Sequence, residues 1–584
     1  MEQESVTKYI DYYEYIKNQI VTSCMKIRIQ SLENLTGVNN MRMKVSIYGA
    51  GRFTRRYLAF LEKEYNIEYI FDLSSEKTGT MLGGIPITVP NEFTVNVCPV
   101  IIVIRDVLGG YHTLQKLSCR QDIYILVGGA DSAYVFQYNP KWSVEEMFRR
   151  KKKITGDFYV KETSMDYVPG ERRCFDMTWR SRSVTYAGSA ACVHSLWYLN
   201  EKYHMIRNLF TLWSDVLYVP RNYIGGSGIP SVQPQIDENE FQLDGVFNSL
   251  AKHPILYAAK YIELAIIKDF WLLMDSIFNF KSSDLFLVQD NISAYALCTQ
   301  FPKLKKIVAV YHSQGSLRCE TAKSDPCSGE TYDAIQENLL EQVKMWAFPS
   351  KGAANALMET GTSKMRQLAQ TCKFYFIHSG YLPKVDLSPD QTLVSKISHL
   401  EKVEVTFVSA SMLYHNKGVE RIPAILSKLK HQTGLRIRWI LIGSGETEQE
   451  VQENIERYLL PDDYIWYRSR FKNIDDLFYI FTKSDFYIMM HRVSIFDLSI
   501  LQSMAYGCIP FLSNVGGNLE FCAYDNGILI DVDDEVLDLN KITVDGSISL
   551  DRINDLKELN KKVIEREFSY KNFITKYKNV VESV

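Results

Sequence analysis

Neither sign of charge dominates this chain: 66 Lys and Arg stand against 69 Asp and Glu, a formal net charge of −3. Such a balance draws no polyanion to the surface, so nucleic acid is not an expected partner. Long apolar runs are missing too. The most apolar stretch, Ile255 to Phe280, is broken by Lys260, Glu263, Lys268 and Asp269. It falls short of the roughly 18 uninterrupted residues a membrane span needs and reads as a buried helix. The 11 cysteines are odd in number and include no CxxC pair, and no leading signal sequence is visible. A disulfide framework and structural zinc are therefore not expected, and a reduced, cytoplasmic setting is. Internal repeats and low-complexity segments are absent.

What is present is material for several cores: 584 residues with 46% apolar content predict two to four domains. In residues 1–40, Ile10, Tyr13, Ile16, Ile20 and Met25 share one helical face. That face suits docking onto the protein itself, or peripheral contact with the inner membrane face. Residues 41–135 open as a strand running into a glycine turn, Lys44 to Arg52, then a helix with Tyr57, Leu58 and Leu61, then a strand at Tyr69 to Asp72. Gly49, Gly51 and an acid, Asp72, about twenty residues on are the spacing of a dinucleotide fold, although the third glycine is absent. This is either an accessory nucleotide site or a structural or regulatory module. The basic run Arg149 to Lys153 reads as a solvated linker.

Residues 155–385 carry strand-like runs at 285–289, 306–312, 346–349 and 374–377, separated by helical patterns. His312 ends one of these runs, where a structural and a catalytic role are both open. The loop Tyr223 to Pro230 either approaches a phosphate or is a long turn. Residues 400–545 alternate strands near 405, 440, 465, 487, 510 and 529 with helices, a doubly wound pattern. Two such units imply a cleft. In the second, a strand at Phe486 to Met490 precedes a helix from Asp497 to Tyr506, with Asp497 as its cap and Leu498, Leu501 and Met504 at helical spacing. First-turn amides there suit a phosphate-bearing ligand. Ile440 to Glu446 is a strand entering the small turn Gly443, Ser444, Gly445, either a tight turn or a ligand loop. Lys417 stands at the start of a helix whose Val419, Ile422, Ile425, Leu426 and Leu429 share a face, so its ammonium and the helix amides could meet a diphosphate together.

The run Met490 to Glu520 resembles the donor-site signature of retaining glycosyltransferases of family four (glycosyl transferases group 1), a glutamate, seven residues, then a second glutamate. Aligning Phe496, Leu498, Leu501, Met504, Gly507 and Pro510 puts Ser494 and Gln502 at the two glutamates. ThrPheValSer within Val405 to Ala410, HisAsnLysGly at His415 to Gly418, the 440–446 turn and TyrHisSerGlnGly at Tyr311 to Gly315 resemble the same family in the same order. Ser411 or Met412 occupies the place of that family's arginine. The 41–135 section is similar to small Rossmann-like modules fused to bacterial sugar-modifying enzymes, including Gly83 to Ile87.

The resemblance spans about residues 155 to 584 and implies an α/β chain of GT-B architecture. Its parts would be two Rossmann-like lobes, an extra N-terminal Rossmann-like domain, and C-terminal helices at 550–584 that return to the first lobe. It implies transfer of a sugar, with retention, from a nucleotide-sugar donor to a glycan, lipid-linked or protein acceptor, with no metal and no cofactor. His312 and Lys417 would be catalytic. Gly443, Ser444, Gly445, Ser494, Phe496, Asp497, Leu498 and Gln502 would bind the donor. The alternative is a GT-B-shaped protein without catalysis that serves as partner or glycan-recognition subunit of another glycosyltransferase. A sugar oxidoreductase working through Gly49 to Asp72 lacks a recognisable catalytic pair.

Overall fold

The computed structural model describes residues 42–584 except 76, 105, 129–132, 156–158, 178–188, 214–215, 224–244, 323–324, 399–402, 470, 472 and 546. The helix expected within 1–40 and most of the 223–230 loop lie outside the described residues. Three large sheets organise the rest.

The first sheet comprises β1 (Met43–Tyr48), β2 (Tyr65–Phe71), β3 (Met81–Leu82), β4 (Ile85–Thr88), β5 (Val100–Ile102), β6 (Ile123–Gly128), β7 (Ala133–Tyr138) and β8 (Lys152–Thr155), in the order β3-β4-β2-β1-β5-β6-β7-β8. Its centre, β4 to β6, is parallel. β7 and β8 join antiparallel and carry the sheet to Thr155, past the boundary expected at 135. The basic run is accordingly not a linker. Lys152 and Lys153 pair with Val135 and Tyr134, while the Lys151 ammonium lies 3.5 Å from the Phe148 ring centroid and 3.8 Å from Asp269. A free β7 edge offering unpaired amides and carbonyls recruited this segment despite its charge.

The second sheet comprises β9 (Tyr159–Asp166), β10 (Cys174–Asp176), β11 (Leu209–Trp213), β12 (Val216–Arg221), β13 (Leu285–Val288), β14 (Ile307–Val310), β15 (Met345–Phe348) and β16 (Lys373–Phe376). Their order is β16-β15-β14-β13-β10-β11-β12-β9. From β10 the chain first builds outward through β11, then returns to add β13 on the other side. The carboxyl ends of β10 and β13 therefore flank the point where the order reverses, the crevice in which open α/β sheets bind ligands. The helix Pro254–Phe278 runs between the first and second sheets, in one core with Leu108 and Ile125 on one side and Phe286 on the other. That double burial explains its nearly continuous apolar sequence. Among the described residues no helix is long and apolar enough to cross a membrane.

The third sheet, β17 (Val405–Ala410), β18 (Ile437–Ile442), β19 (Tyr464–Tyr467), β20 (Phe486–Met489), β21 (Ile509–Ser513) and β22 (Ile528–Ile530), is wholly parallel in the order β19-β18-β17-β20-β21-β22. β18, β20 and β21 are buried along their length, as parallel strands covered on both faces must be. Here the order reverses between β17 and β20. The helix Leu550–Glu567 packs on this lobe through Ile553, Leu556, Val563 and Ile564. The helix Tyr570–Ser583 packs instead on the second sheet, where Phe573, Ile574, Tyr577 and Val580 join Leu285 and Val308. Two crossings thus connect the lobes and touch: Tyr381 N donates to Phe568 O at 2.8 Å, and a Cβ on Gly380 would lie 2.8 Å from the Ser569 oxygen.

Candidate functional site

The crevice of the third sheet is built by the segments that follow β17 and β20. Gly418 brings them together: its φ is +62°, and a Cβ there would stand 1.7 Å from the Met490 oxygen. Lys417 sits just before it in a 3-10 turn, His415–Lys417, and not at the start of a helix as expected. The helix proper begins at Ile422, after a second 3-10 turn, with Pro423 in its first turn. The left-handed Gly418 separates the two, so the Lys417 ammonium meets a side chain instead of helix amides.

That side chain is Asp497. Lys417 Nζ donates to Asp497 Oδ2, and His491 Nε2 lies 3.2 Å from the same oxygen. Oδ1 caps the helix Leu498–Ala505, accepting from Ser499 N at 3.0 Å and Ser499 Oγ at 2.7 Å. Burial alone would raise this carboxyl, but the Lys417 charge and the His491 hydrogen bond outweigh it and hold Asp497 well below the usual carboxylate range. Burial pushes His491 down, keeping the imidazole neutral. Arg492, next in the loop, donates from Nη1 to His415 O at 2.8 Å and pairs with Glu420. It brings a second cation to this wall from the β20 side, while the resemblance had directed attention to Ser411 and Met412.

Other expected donor contacts are differently employed. The amide of Gly443 donates to Tyr467 O at 2.9 Å and that of Gly445 to Glu448 Oε1 at 2.9 Å. Ser444 accepts through its carbonyl from Leu413 N at 3.1 Å. A Cβ at 443 or 445 would strike the oxygens of Ser411 or Leu413 at 1.9 and 2.4 Å, so both glycines serve the packing of two loops. Ser494 is 2% exposed with its hydroxyl buried and unpaired, out of a ligand's reach in this arrangement. Phe496 lies in the seam between lobes, stacked 5.2 Å from His378 and 4.3 Å from Phe521. Leu498 packs against the third-sheet core. On the same helix Leu498, Ser499 and Gln502 form the half-exposed stripe, three and four residues apart. Ser499 bonds Asp497.

Across the cleft the second sheet presents His312 just beyond β14. Its Nε2 lies 2.9 Å from Gln289 Oε1, and Gln289 Nε2 donates to Asp176 Oδ1 at 2.9 Å. Burial lowers His312 to about 4 and raises Asp176 to about 7 against the lowering effect of Gln289. Asp176, Gln289, His491 and Arg492 carry no local sequence signal beyond their place at strand ends. The two crevices meet through Asn416, which donates to Gln314 Oε1. Beside this contact, Ser350 Oγ donates to Ile495 O, and Glu520 accepts from Lys351 N at 2.7 Å and Gly352 N at 3.3 Å. Glu520 also meets His378 Nε2 at 2.5 Å, and Lys576 lies 3.0 Å from the other ring nitrogen.

At the accessory site expected at Gly49, Gly51 and Asp72, the acid makes local contacts. Asp72 accepts from Ala50 N and Ser74 N, each at 2.9 Å, and pairs with Lys77 at 3.0 Å. Among the described residues, His415, Glu420 and Glu450 bring metal-type ligand atoms within 4.8 Å, but Glu420 is committed to Arg492.

Residues 390–542 match the sequence model of the family described as Glycosyl transferases group 1. No curated protein matches the chain. Among solved structures it is similar to sucrose-phosphate synthase from Thermosynechococcus elongatus, with 14% identity over 73% of this chain and 98% of that chain, TM-score 0.45. It is similar also to Anabaena HepE in complex with UDP and glucose, with 14% identity over 71% of this chain and 100% of that one, TM-score 0.43. A glycosyltransferase from Rickettsia africae gives 14% identity, 71% and 100% coverage, and a TM-score of 0.44.

Proposed function

We propose that the chain is a GT-B glycosyltransferase that moves a sugar, with retained configuration, from a nucleotide-diphosphate sugar to a glycan, lipid-linked or protein acceptor. The setting would be assembly of a bacterial surface polysaccharide or glycoprotein. The observation that carries this reading is the Asn416–Gln314 hydrogen bond, which sets two switch-point crevices mouth to mouth with Lys417 on one lip and His312 on the other. The family match over the lobe that holds Lys417 supports it.

In such a transfer the bond from the anomeric carbon to the diphosphate breaks, and charge collects on the departing oxygens. Preorganised cations are commonly the largest catalytic contribution at that point. Lys417 supplies one, with Arg492 behind it in the neighbouring loop. A diphosphate exchanges places with Asp497 as the partner of the ammonium, and His491 then keeps the displaced carboxylate hydrogen-bonded. Gln502 would bond the donor ribose, Ser494 the sugar once its loop shifts, and His312 would face the reacting carbon or the acceptor hydroxyl. No step in this scheme calls for a metal.

A second reading, an inactive partner subunit of another glycosyltransferase, is favoured by one specific observation. The Lys417 charge is already neutralised, and neither Ser494 nor Gln502 restores a carboxylate to the wall. Incubation with a panel of nucleotide sugars, scored by released nucleotide, tests both. Enzyme activity should fall on the order of 100-fold in Lys417→Ala. Silence from the wild type together with turnover by Gln502→Glu identifies a disabled enzyme, and silence from both, with binding to another transferase, favours the subunit.

A further inference from the structure

Asp176 is fully buried, its Oδ2 has no hydrogen-bond partner, and the proposed transfer makes no use of it. A buried carboxylate is costly to keep unless something depends on it. Its position is specific. Asp176 ends β10, Gln289 follows β13 and His312 lies two residues beyond β14, so the three occupy the carboxyl ends of three adjacent parallel strands at the switch point. Gln289 is 1% exposed and joins the other two through opposite ends of one amide, at 2.9 Å on each side.

We infer that Asp176 is a positioning residue that acts through Gln289 to hold His312 in one tautomer, with the proton on Nε2 and Nδ1 as the acceptor. Ionised, as it is above about pH 7, the Asp176 carboxyl can only accept, so it turns the NH2 end of the Gln289 amide toward itself. The carbonyl end then faces His312 and demands a donor there, which fixes the proton on Nε2. The burial that lowers His312 keeps the ring neutral, so only one of its two nitrogens carries a proton. Asparagine at 176 has the same shape but offers either a donor or an acceptor, and the amide loses its instruction. What His312 does with Nδ1 rests on the transfer reading above; which nitrogen carries the proton does not.

The test is nitrogen NMR of the full chain labelled at histidine, with the His312 signal identified by its loss in His312→Ala. Above about pH 8, with Asp176 ionised, the wild type should show His312 as the Nε2–H form, and Asp176→Asn a mixture of tautomers. In turnover assays Asp176→Asn should lower kcat on the order of 10- to 100-fold, as removal of an orienting partner does, with donor KM within about twofold. An Nδ1–H wild type overturns the inference, as does an Asp176→Asn protein whose tautomer and kcat are unchanged. Should Asp176→Asn fail to fold, the wild-type tautomer alone decides. Full turnover by His312→Ala would remove His312 from the transfer, while the tautomer measurement still judges Asp176.

Discussion

Asp497 joins three parts of the third-sheet crevice, because one carboxylate serves as ion-pair partner, helix cap and imidazole acceptor. Its depressed pKa sets the sign of a pH effect. A carboxyl whose folded value lies below the unfolded value of about 4 contributes stability that is fully present above that value and fades as pH falls toward the folded one. Asp497→Asn should therefore cost about 3 kcal/mol near pH 7, the lower end for breaking such a pair because Lys417 keeps some water contact, and should flatten the acid limb of the stability profile. Urea unfolding at pH 3 to 7 measures both. Gly418→Ala should destabilise by at least about 2 kcal/mol in the same assay, since its φ of +62° and the Met490 carbonyl both oppose a Cβ. The partnership of Lys417 with Asp497 was not legible in the sequence. The two are 80 residues apart, and the local pattern suggested helix amides instead. The ring partner of Phe496 was hidden for a related reason: its place in a motif says nothing of His378, a residue of the crossing that its ring stacks against.

At the scale of elements, periodicity did well. All six strands of the third sheet and the four runs of the second between 285 and 377 lie where apolar patterning puts them, because buried parallel strands are written as short apolar runs between helices. Failure came where pairing overrode composition, as at β8, whose lysines look like solvent-facing linker yet close a sheet edge. The helices of 550–584 were expected to return to the first lobe; Leu550–Glu567 stays on the third-sheet lobe and Tyr570–Ser583 packs on the first, where its burial allows a quantitative expectation. Tyr577→Ala, at a residue 1% exposed, should cost about 3–5 kcal/mol and lower the melting temperature seen by calorimetry. The loss should appear in the lobe of the second sheet, and a protein melting unchanged would refute that packing.

For the molecule as a whole, Glu520 ties the lobes together alongside the two crossings. It meets the first amides of the helix Lys351–Thr360 and the imidazole of His378, itself backed by Lys576. Glu520→Ala removes an anion from a helix N-terminus, worth about 1 kcal/mol, and releases the seam. Small-angle scattering should then report a larger radius of gyration with unchanged far-UV circular dichroism; an identical scattering curve would show that the crossings alone hold the lobes.

The swap of the two C-terminal helices across the seam also governs how the chain is made. Residues that seal the underside of the second sheet leave the ribosome only after the entire third sheet has emerged. Until then Leu285, Val308 and their neighbours lack their cover, an exposed apolar face of the kind that recruits chaperones and nucleates aggregates. A premature stop after Phe568 would spare every residue of the cleft, yet leave the half that bears His312 unfinished.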